Sequence, residues 1–445
     1  MLGSRSDTGK ETEMLLYDNL GINALGHMTI GGIDTVSLTE EYGDPLYVMD
    51  EDKIRGNCRI YTDAIKRYLP QGSRPLYAGK ALCFKGLYPI IESEGFSADV
   101  VSPGEIYTAI AGGFDPAKLY YHGTAKTDWD IHYALDNGIG YFIVDNYNEL
   151  EALDRIAGER GIKQDILLRI TVGIDPHTQE KINTGRIDSQ FGVAVDTGQA
   201  DEFVRRSREL GNVRLLGYHS HIGSQIFEIE PFLDQVDKLL DFAVDMRQRH
   251  GFTAEIFNLG GGFGVQYTEK DPSISIERNI SMLGEHLRES CEARAFPQPQ
   301  LLLEPGRSIV ANAGITLYRT TGVKEIDGYL NYVTVDGGMT DNIRFALYKA
   351  DYTMVNASRM DEEASYLCTI AGRCCESSDR IAENIYLQKP VRDDIIAVLG
   401  TGAYNYSMAS NYNRVPKPAM VMVSGGESRL VIRAQSFEDM IVCEL

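Results

Sequence analysis

The stretch Pro75-Leu76-Tyr77-Ala78-Gly79-Lys80 joins a short apolar run to a single lysine. A run of this kind is typical of a buried strand, and Lys80 then stands at the strand end with its amine at one rim of a sheet. Most lysines at strand ends are solvated and take no part in chemistry. The role of Lys80 therefore depends on what the rest of the chain places beside it.

Apolar runs of strand length recur after this first one, and each is followed by a pattern of helical period. Such alternation predicts parallel strands joined by right-handed crossovers. Eight units spread over roughly 230 residues favour a closed (β/α)8 TIM-like barrel over an open sheet. The predicted strands are Leu76–Ala78, Ala98–Val101, Leu119–Tyr121, Tyr141–Val144, Ile166–Ile170, Leu215–Tyr218, Ile256–Leu259 and Leu301–Leu303.

Past Arg307 the pattern changes to alternating β-rich runs, which predict a mostly antiparallel β domain beside the barrel, in the α/β class. We expect the strands before Met49, including Met28–Ile30, to join the sheet of this domain, so that the barrel is inserted between its two parts. The predicted boundaries are 1–14 for a disordered N-terminus, 50–307 for the barrel, and 15–49 with 308–445 for the β domain.

The charge and hydropathy of the 445 residues exclude several classes of partner. A formal net charge of −21 at pH 7 disfavours binding to nucleic acid or to an anionic membrane surface. No apolar run approaches the roughly 20 residues that a membrane helix needs, and no segment near Met1 resembles a signal peptide. We therefore expect a cytoplasmic enzyme that acts on a small molecule.

The seven cysteines are an odd number and show no C-x-x-C spacing. This pattern argues against a disulfide framework and against a structural zinc site, and it predicts free thiols. Cys374 and Cys375 are adjacent, and a disulfide between neighbours is strained. We interpret one of them as a packing residue and leave the other open for chemistry.

In a barrel the C-terminal ends of the strands meet at one rim, and polar or flexible residues lie within or just after several predicted strands there. The residues at these positions are Lys80, Asp99 and Ser102, His219, His221 and Ser224, Gly260-Gly261-Gly262, and Glu304-Pro305-Gly306-Arg307.

The glycine run Gly260-Gly261-Gly262 allows backbone N–H groups to approach an anion closely. Glycine runs alone are more often simple turns. The loops after strands seven and eight are, however, the usual phosphate site of such barrels, and Arg307 follows strand eight. We therefore interpret the run as a phosphate cradle.

His219 and His221 are two residues apart on a strand, so both are expected to face the barrel interior. Beside Gly223 and Ser224 they favour a bound ligand. A zinc pair is the alternative interpretation, but the sequence offers no convincing third and fourth ligands, and we predict no metal.

Glu304 stands next to Arg307, and an ion pair between them is the interpretation that the sequence alone favours. The alternative is a carboxylate that holds a proton on a heteroaromatic nitrogen and turns the ring into an electron sink. A phosphate cradle, a lysine at the rim, an imidazole able to stack and such a carboxylate together describe a pyridoxal phosphate site.

The β domain adds further polar motifs, and the ordered set resembles the fold type III pyridoxal phosphate-dependent decarboxylases, which share an alanine-racemase-like fold. The resemblance runs from about Gly43 to Arg433. The matching motifs are Tyr77-Ala78-Gly79-Lys80, Ala98-Asp99-Val100-Val101-Ser102, His122-Gly123, His219-Ser220-His221-Ile222-Gly223-Ser224-Gln225, Gly260-Gly261-Gly262-Phe263-Gly264, Glu304-Pro305-Gly306-Arg307, Arg344 with Tyr348, Cys375-Glu376-Ser377 and Gly402-Ala403-Tyr404.

The resemblance implies roles for individual residues. Lys80 would form the Schiff base with pyridoxal phosphate, Glu304 would pair with the pyridine nitrogen, and His221 would stack on the ring. It also implies a head-to-tail homodimer in which Cys375 and Glu376 reach the site of the partner chain. The other residues implied to bind the cofactor are Asp99, Ser224, Gly260, Gly261, Gly262, Gly306, Arg307 and Tyr404.

The activity that the resemblance implies is decarboxylation of meso-diaminopimelate to L-lysine and carbon dioxide, with Cys375 as the acid that protonates the α-carbon. A thiol with an ordinary pKa of about 8.5 is mostly protonated at neutral pH. Glu376 would bind the distal ammonium of the substrate. The distal carboxylate would be bound by Arg307, Arg344 and Tyr348, and Tyr404 would also contact the substrate.

Two other functions remain open at this point: a fold relative acting on another D-configured or carboxylated diamine, and an inactive relative that regulates an active enzyme. The presence of both Lys80 and Cys375 argues against the second. The sequence departs from the family pattern at Leu82, Thr124-Ala125, Gln179 and Gln190. The last two lie in Asp175–Gly192, a predicted active-site lid, and bear on substrate length and stereochemistry.

Overall fold

The computed structural model describes residues 15–174 and 189–445. The predicted disorder of residues 1–14 lies outside the described residues. Most of the predicted lid, including Gln179, lies outside them as well.

The segment that precedes the barrel contains two different kinds of strand. Strands β1 (Leu20–Ile22), β2 (Met28–Ile30) and β3 (Ile33–Asp34) pair antiparallel with one another in a small sheet of their own, and helix α1 (Thr35–Tyr42) follows. Strand β4 (Leu46–Asp50) instead belongs to the large sheet of the β domain.

The expectation that every strand before Met49 joins the large sheet is therefore wrong for Met28–Ile30. The reason is local. Gly31 and Gly32 both have positive φ, which suits a two-residue hairpin turn and folds Ile33 back onto Ile30.

The strands of the barrel are parallel and follow one another around it in sequence order. They are β5 (Arg74–Ala78), β6 (Ser97–Val100), β7 (Leu119–Tyr121), β8 (Tyr141–Val144), β9 (Gln164–Thr171), β11 (Val213–His219), β12 (Ile256–Asn258) and β13 (Gln300–Leu303), with a short β10 (Val193–Ala194) added to β9.

Pairing of β13 with β5, with Leu302 opposite Arg74, and of β8 with β9 closes the ring of eight strands within the described chain. The predicted (β/α)8 barrel is confirmed.

The helices that surround the barrel begin and end at local sequence signals. In the first of them the Asp50 carboxylate accepts the backbone N–H of Lys53 at 3.0 Å, and two acidic residues precede two basic ones along the helix, which suits the helix dipole. The helices are α2 (Glu51–Tyr68), α3 (Tyr88–Ser93), α4 (Pro103–Ala111), α5 (Asp128–Asp136), α6 (Tyr147–Glu159), α7 (Gln199–Glu209), α8 (Glu230–His250) and α9 (Ile276–Ala293).

The β domain follows the barrel in the chain, and its sheet includes β4. Its strands are β14 (Gly314–Glu325), β15 (Asn331–Val335), β16 (Met354–Asn356), β17 (Tyr366–Ala371), β18 (Arg380–Leu387), β19 (Ile395–Leu399), β20 (Ala419–Ser424) and β21 (Glu427–Ile432). Its helices are α11 (Arg344–Tyr348) and α12 (Phe437–Ile441), whereas the short helix α10 (Arg307–Val310) follows β13 at the rim of the barrel.

Most strand pairs of this domain are antiparallel, and β4 with β20 and β15 with β17 are the parallel pairs among the described strands. The mostly antiparallel β domain is confirmed. None of the helices in the described ranges is both long and apolar enough to cross a membrane.

A separate apolar cluster, drawn from seven of the barrel strands, fills the barrel interior below the rim. Because residues two apart on a strand point to the same face, the residue two positions after a member of this cluster faces the interior one layer nearer the rim, except after Leu216, where the strand is irregular. The cluster consists of Leu76, Tyr120, Ile143, Leu167, Leu216, Ile256 and Leu302.

Candidate active site

The rim of the barrel is organised around the carboxylate of Glu304, which follows β13 and is buried. Asn258 Nδ2 donates a hydrogen bond of 2.6 Å to Glu304 Oε1. His122 Nε2 lies 2.9 Å from the same oxygen, and His219 Nε2 lies 3.4 Å from Oε2. Three strands thus converge on one carboxylate, and Oε2 keeps lone pairs for a further donor.

The electrostatics of this group keep Glu304 ionised. Burial alone would raise the pKa of Glu304, but His122 and His219 oppose it and hold that pKa well below its usual range. Burial lowers the pKa of His219 to about 4, so its imidazole is neutral at neutral pH and contributes an N–H rather than a charge. The result is a buried anion held by neighbouring imidazole and amide groups.

Most polar side chains at the rim come from the layer of the barrel interior directly above the apolar cluster. His122, Asp145, Arg169, Asn258 and Glu304 each lie two positions after a cluster residue. Those cluster residues are Tyr120, Ile143, Leu167, Ile256 and Leu302.

His219 lies three positions after Leu216 instead of two. The pairing of β11 with β9 shifts by one residue between Leu215 and Gly217, which adds a residue to the strand at that point. This bulge accounts for the spacing of His219.

Sequence reasoning assigned no role to His122, Asn258 or Arg169. The period-two step from an apolar core position to a polar residue at a strand end was the signal that could have found them. The ion pair that the sequence favoured between Glu304 and Arg307 is wrong, because no salt bridge joins them among the described residues and both side chains are committed elsewhere.

The zinc interpretation of His219 with His221 is not the grouping that the structure shows. The side chains of the described residues that could together hold a metal ion are His122, His219 and Glu304. Here the carboxylate already accepts the Asn258 amide. His221 lies beyond the end of β11, beside the glycine run.

Lys80 is exposed and sits in a tight turn that follows β5 directly. The backbone N–H of Tyr404 donates to the carbonyl of Ala81 at 2.7 Å, which ties this turn to the β domain. Gly306 approaches the turn so closely that a Cβ there would lie 2.9 Å from the Cβ of Ala78. The backbone of the turn that carries Lys80 is thus held by both domains.

Lys80 faces a cavity that we call the rim cavity. Its lining includes residues that the sequence assigned to the cofactor site. They are Lys80, Asp99, His221, Ser224, Gly261, Gly262, Glu304, Gly306, Arg307 and Tyr404.

Asp99, on β6, is one of the buried residues of the rim cavity. Its Oδ1 has no hydrogen-bond partner among the described residues. Burial raises the pKa of Asp99 to about 6, while His122 acts in the opposite direction. An unpartnered buried oxygen at this position faces a space suited to a polar ligand.

The three positions of the glycine run have no room for a side chain. A Cβ at Gly260, where φ is +69°, would lie 2.6 Å from His221 Nδ1, and a Cβ at Gly261 would overlap the backbone oxygen of Glu304. A Cβ at Gly262, where φ is +134°, would lie 2.6 Å from the oxygen of Gly223. The backbone of the run therefore lies bare along the cavity wall.

Arg307 and Ser224 complete this wall. Both Nε and Nη2 of Arg307 donate to Ser224 Oγ, at 3.2 and 3.0 Å, and Nη1 donates to Tyr267 Oη at 2.8 Å. Burial acts to lower the pKa of Arg307, but neighbouring tyrosines raise it above its usual value. A fixed positive charge beside bare backbone is an arrangement suited to a phosphate or carboxylate.

Arginines and tyrosines alternate in a column that passes through the β domain. The Arg307 guanidinium lies 4.7 Å from the Tyr404 ring centre, and Arg344 lies 5.3 Å from the same ring. Arg344 also lies 5.1 Å from the ring of Tyr348. Arg307, Arg344 and Tyr348 line a second space, which we call the outer cavity.

Among the described residues, the predicted site residues that line neither cavity are Gly260, which lies beside His221, and Cys375 and Glu376, which lie in a loop of the β domain. Cys375 and Glu376 are the two that lie away from the rim. Both are exposed. The backbone N–H of Cys375 donates to Asn413 Oδ1 at 2.8 Å, and Glu376 Oε1 accepts from the backbone of Ser378. The loop that carries them is thus held in place on the outer surface of the β domain.

Comparison with known proteins agrees with this site. Residues 52–311 match the family described as "Pyridoxal-dependent decarboxylase, pyridoxal binding domain". The chain belongs to this family. Pyridoxal-dependent decarboxylases similar to it include the diaminopimelate decarboxylases of Bacillus subtilis strain 168 and Bacillus methanolicus. The first is 40% identical over 97% of this chain and 98% of its own length, and the second is 41% identical over 94% and 97%.

The fold agrees as well. A crystal structure of the diaminopimelate decarboxylase of M. jannaschii in co-complex with L-lysine has a TM-score of 0.89 to this chain. That protein is 32% identical, and the alignment covers 97% of this chain and 99% of the other.

The rim cavity suits the pyridoxal phosphate that this family binds. The groups suited to a phosphate are the positive charge of Arg307, the hydroxyl of Ser224 and the backbone of the glycine run, and Lys80 provides an amine. The ionised Glu304 is buried, which suits a protonated ring nitrogen. The residues present therefore match the three ends of the cofactor: phosphate, aldehyde and ring nitrogen.

Gly261→Ala should weaken the affinity for pyridoxal phosphate by about tenfold or more, because the new methyl group displaces the backbone that leads into Glu304. Titration of the cofactor absorption band of the apoenzyme measures this. Gly211→Ala is the matched control, since a Cβ at Gly211 meets no atom within 4 Å. An unchanged affinity in Gly261→Ala would contradict the cradle.

His219 should contribute to the pH dependence of stability. Its folded-state pKa of about 4 lies below the unfolded value of about 6.5, so the unfolded chain takes up the proton first as the pH falls. This contribution is intact above pH 6.5 and is lost progressively toward pH 4, by about 2 kcal/mol at pH 4.5.

His219→Gln removes this contribution, so its difference in urea midpoint from the wild type should shrink as the pH falls from 7 to 4.5. His132→Gln, on the outer helix α5, is the matched control and should keep a constant difference. A constant difference for His219→Gln would show that its imidazole does not resist protonation.

Proposed function

We propose that this chain is a pyridoxal phosphate-dependent decarboxylase that converts meso-2,6-diaminopimelate to L-lysine and carbon dioxide. The observation that carries the proposal is the pair of buried arginines, Arg307 and Arg344, on the Tyr404 ring beside the rim cavity. Two arginines can bind a second carboxylate of the substrate. Ornithine and arginine have a single carboxylate, so none remains for this pair when that group leaves as carbon dioxide. The name of the similar bacterial enzymes and the lysine in the M. jannaschii complex support it.

Pyridoxal phosphate supplies an electron sink for the electron pair that remains when a carboxylate departs. The Lys80 amine would hold the cofactor by its aldehyde end. Glu304 would keep a proton on the ring nitrogen, the condition under which the ring accepts electrons, and its low pKa makes it an anion at neutral pH. His221, which lines the same cavity, would exclude water from the bound cofactor.

The substrate is oriented by its distal end. The guanidinium groups of Arg307 and Arg344 bind the distal carboxylate, with Tyr348 and Tyr404 beside them. Arg344 Nε is buried and has no hydrogen-bond partner among the described residues, which suits a donor that awaits an anion. Holding this end places the reacting carboxylate over the rim cavity.

The proposal includes a homodimer whose sites are shared between subunits. Cys375 and Glu376 are exposed and line neither cavity of their own chain within the described residues. In a head-to-tail dimer, Cys375 of the partner subunit donates the proton to the α-carbon, and Glu376 of the partner subunit binds the distal ammonium.

The proposal also includes a cytoplasmic location, which a biosynthetic reaction that forms L-lysine supports.

Release of carbon dioxide from a panel of substrates tests the activity. The holoenzyme should turn over meso-diaminopimelate at least about a hundredfold faster than D-lysine, L-lysine, ornithine or arginine. Those substrates have no distal carboxylate and would leave the buried arginines unpaired. Faster release from ornithine or arginine would contradict the proposal, and faster release from another carboxylated diamine would redirect it.

Mixing inactive variants tests the shared site. Lys80→Ala and Cys375→Ala should each abolish turnover, since one removes the amine and the other the acid. Random mixing of the two chains should restore about a quarter of wild-type activity, because half of the dimers are mixed and each carries one intact site. Cys443→Ala, which removes another exposed thiol, is the control and should stay active. A mixture as inactive as its parents would refute sharing.

A further inference from the structure

Tyr267 lies in the loop that follows β12 and lines the outer cavity, and no role for it was expected from the sequence. It is 8% exposed, and its hydroxyl accepts the hydrogen bond from Arg307 Nη1 at 2.8 Å. Its ring also forms the end of the arginine–tyrosine column, with the Arg307 guanidinium 5.8 Å from the ring centre.

The backbone of Tyr267 is fixed at both ends. Its N–H donates to Asp271 Oδ2 at 2.9 Å, and its carbonyl accepts from the backbone N–H and the hydroxyl of Thr353 at 3.1 and 3.0 Å. Thr353 directly precedes β16 of the β domain. Tyr267 therefore links the barrel loop to the β domain, and contacts with both fix the position of the residue that binds Arg307.

The donors of Arg307 show what this contact achieves. A guanidinium has five N–H groups. Ser224 takes one from Nε and one from Nη2, and Tyr267 takes one from Nη1. One N–H remains on each terminal nitrogen within the described residues. When Tyr267 accepts the Nη1 hydrogen on the Cδ side, these two lie on the same edge of the guanidinium plane. That edge is the one that binds a carboxylate with two parallel hydrogen bonds.

We infer that Tyr267 is a positioning residue that sets the rotation of the Arg307 guanidinium, so that its open edge faces the distal carboxylate of the substrate. Ser224 fixes one side of the guanidinium and Tyr267 the other. Arg307 lines the outer cavity together with Arg344, which places the open edge where two arginines meet an anion. The inference rests on the proposed function, because it requires a substrate with a distal carboxylate.

Binding of two small diamines to the holoenzyme tests it. L-lysine keeps the distal carboxylate, whereas 1,5-diaminopentane has the same length and lacks it. In Tyr267→Phe, which keeps the ring and removes the hydroxyl, the Kd for L-lysine measured by calorimetry should rise about tenfold, since a hydrogen bond to a charged group is lost. The Kd for 1,5-diaminopentane should stay within about twofold.

The steady-state constants should separate in the same way. For meso-diaminopimelate, KM should rise about tenfold in Tyr267→Phe while kcat changes far less, because the hydroxyl orients the distal end and not the reacting end. Tyr352→Phe is the matched control. The Tyr352 ring packs edge-on against Tyr267 at 5.1 Å, and its hydroxyl accepts from Asn405 at 3.4 Å and not from Arg307.

The outcomes are distinct. If the wild type prefers L-lysine to 1,5-diaminopentane and Tyr267→Phe keeps the same preference, the inference is overturned while the proposed function stands. Equal weakening of both diamines, or a loss of pyridoxal phosphate affinity without a change for L-lysine, also overturns it. If the wild type itself does not distinguish the two diamines, the proposed function fails. The cofactor content of each variant, read from its absorption band, shows that the site is folded.

Discussion

The buried charge of Glu304 is the constraint on which the rest of the site depends. An ionised carboxylate taken out of water is costly unless donors surround it, and here the donors come from β7, β11 and β12. Only a closed ring of parallel strands brings those ends together. The same convergence leaves one carboxylate oxygen open toward the rim cavity, where a protonated ring nitrogen would complete its set of partners.

A second constraint is the contact between the domains. The backbone of Tyr404 binds the turn that carries Lys80, and its ring lies between Arg307 of the barrel rim and Arg344 of the β domain. Tyr404 has a φ of +66°, an uncommon conformation for a side chain of this size, and these contacts stabilise it. The cofactor side and the substrate side are thus positioned by one tyrosine.

How much of the site the sequence could predict follows from the range of the interactions involved. The residues at predicted strand ends, such as Lys80, Gly261 and Glu304, were found because a barrel gathers strand ends at one rim. The hydrogen bonds of Arg307 were not predicted, since Ser224 and Tyr267 are 83 and 40 positions away along the chain and nothing in the local pattern links them to it. The family resemblance placed Ser224 at the cofactor, but Tyr267 was missed. An adjacent acid looked like the better partner.

The sequence by itself determined the barrel, the β domain and several of the groups at the rim, such as Lys80, Gly261 and Glu304, because strand and helix periods and the residues that follow each strand are local properties of the chain. Only the tertiary structure decided that β2 closes a small sheet of its own, that Glu304 is held by His122, His219 and Asn258, and that Arg307 is oriented by Tyr267. Each of these depends on which side chains burial forces to share one space, and burial is a property of the whole fold.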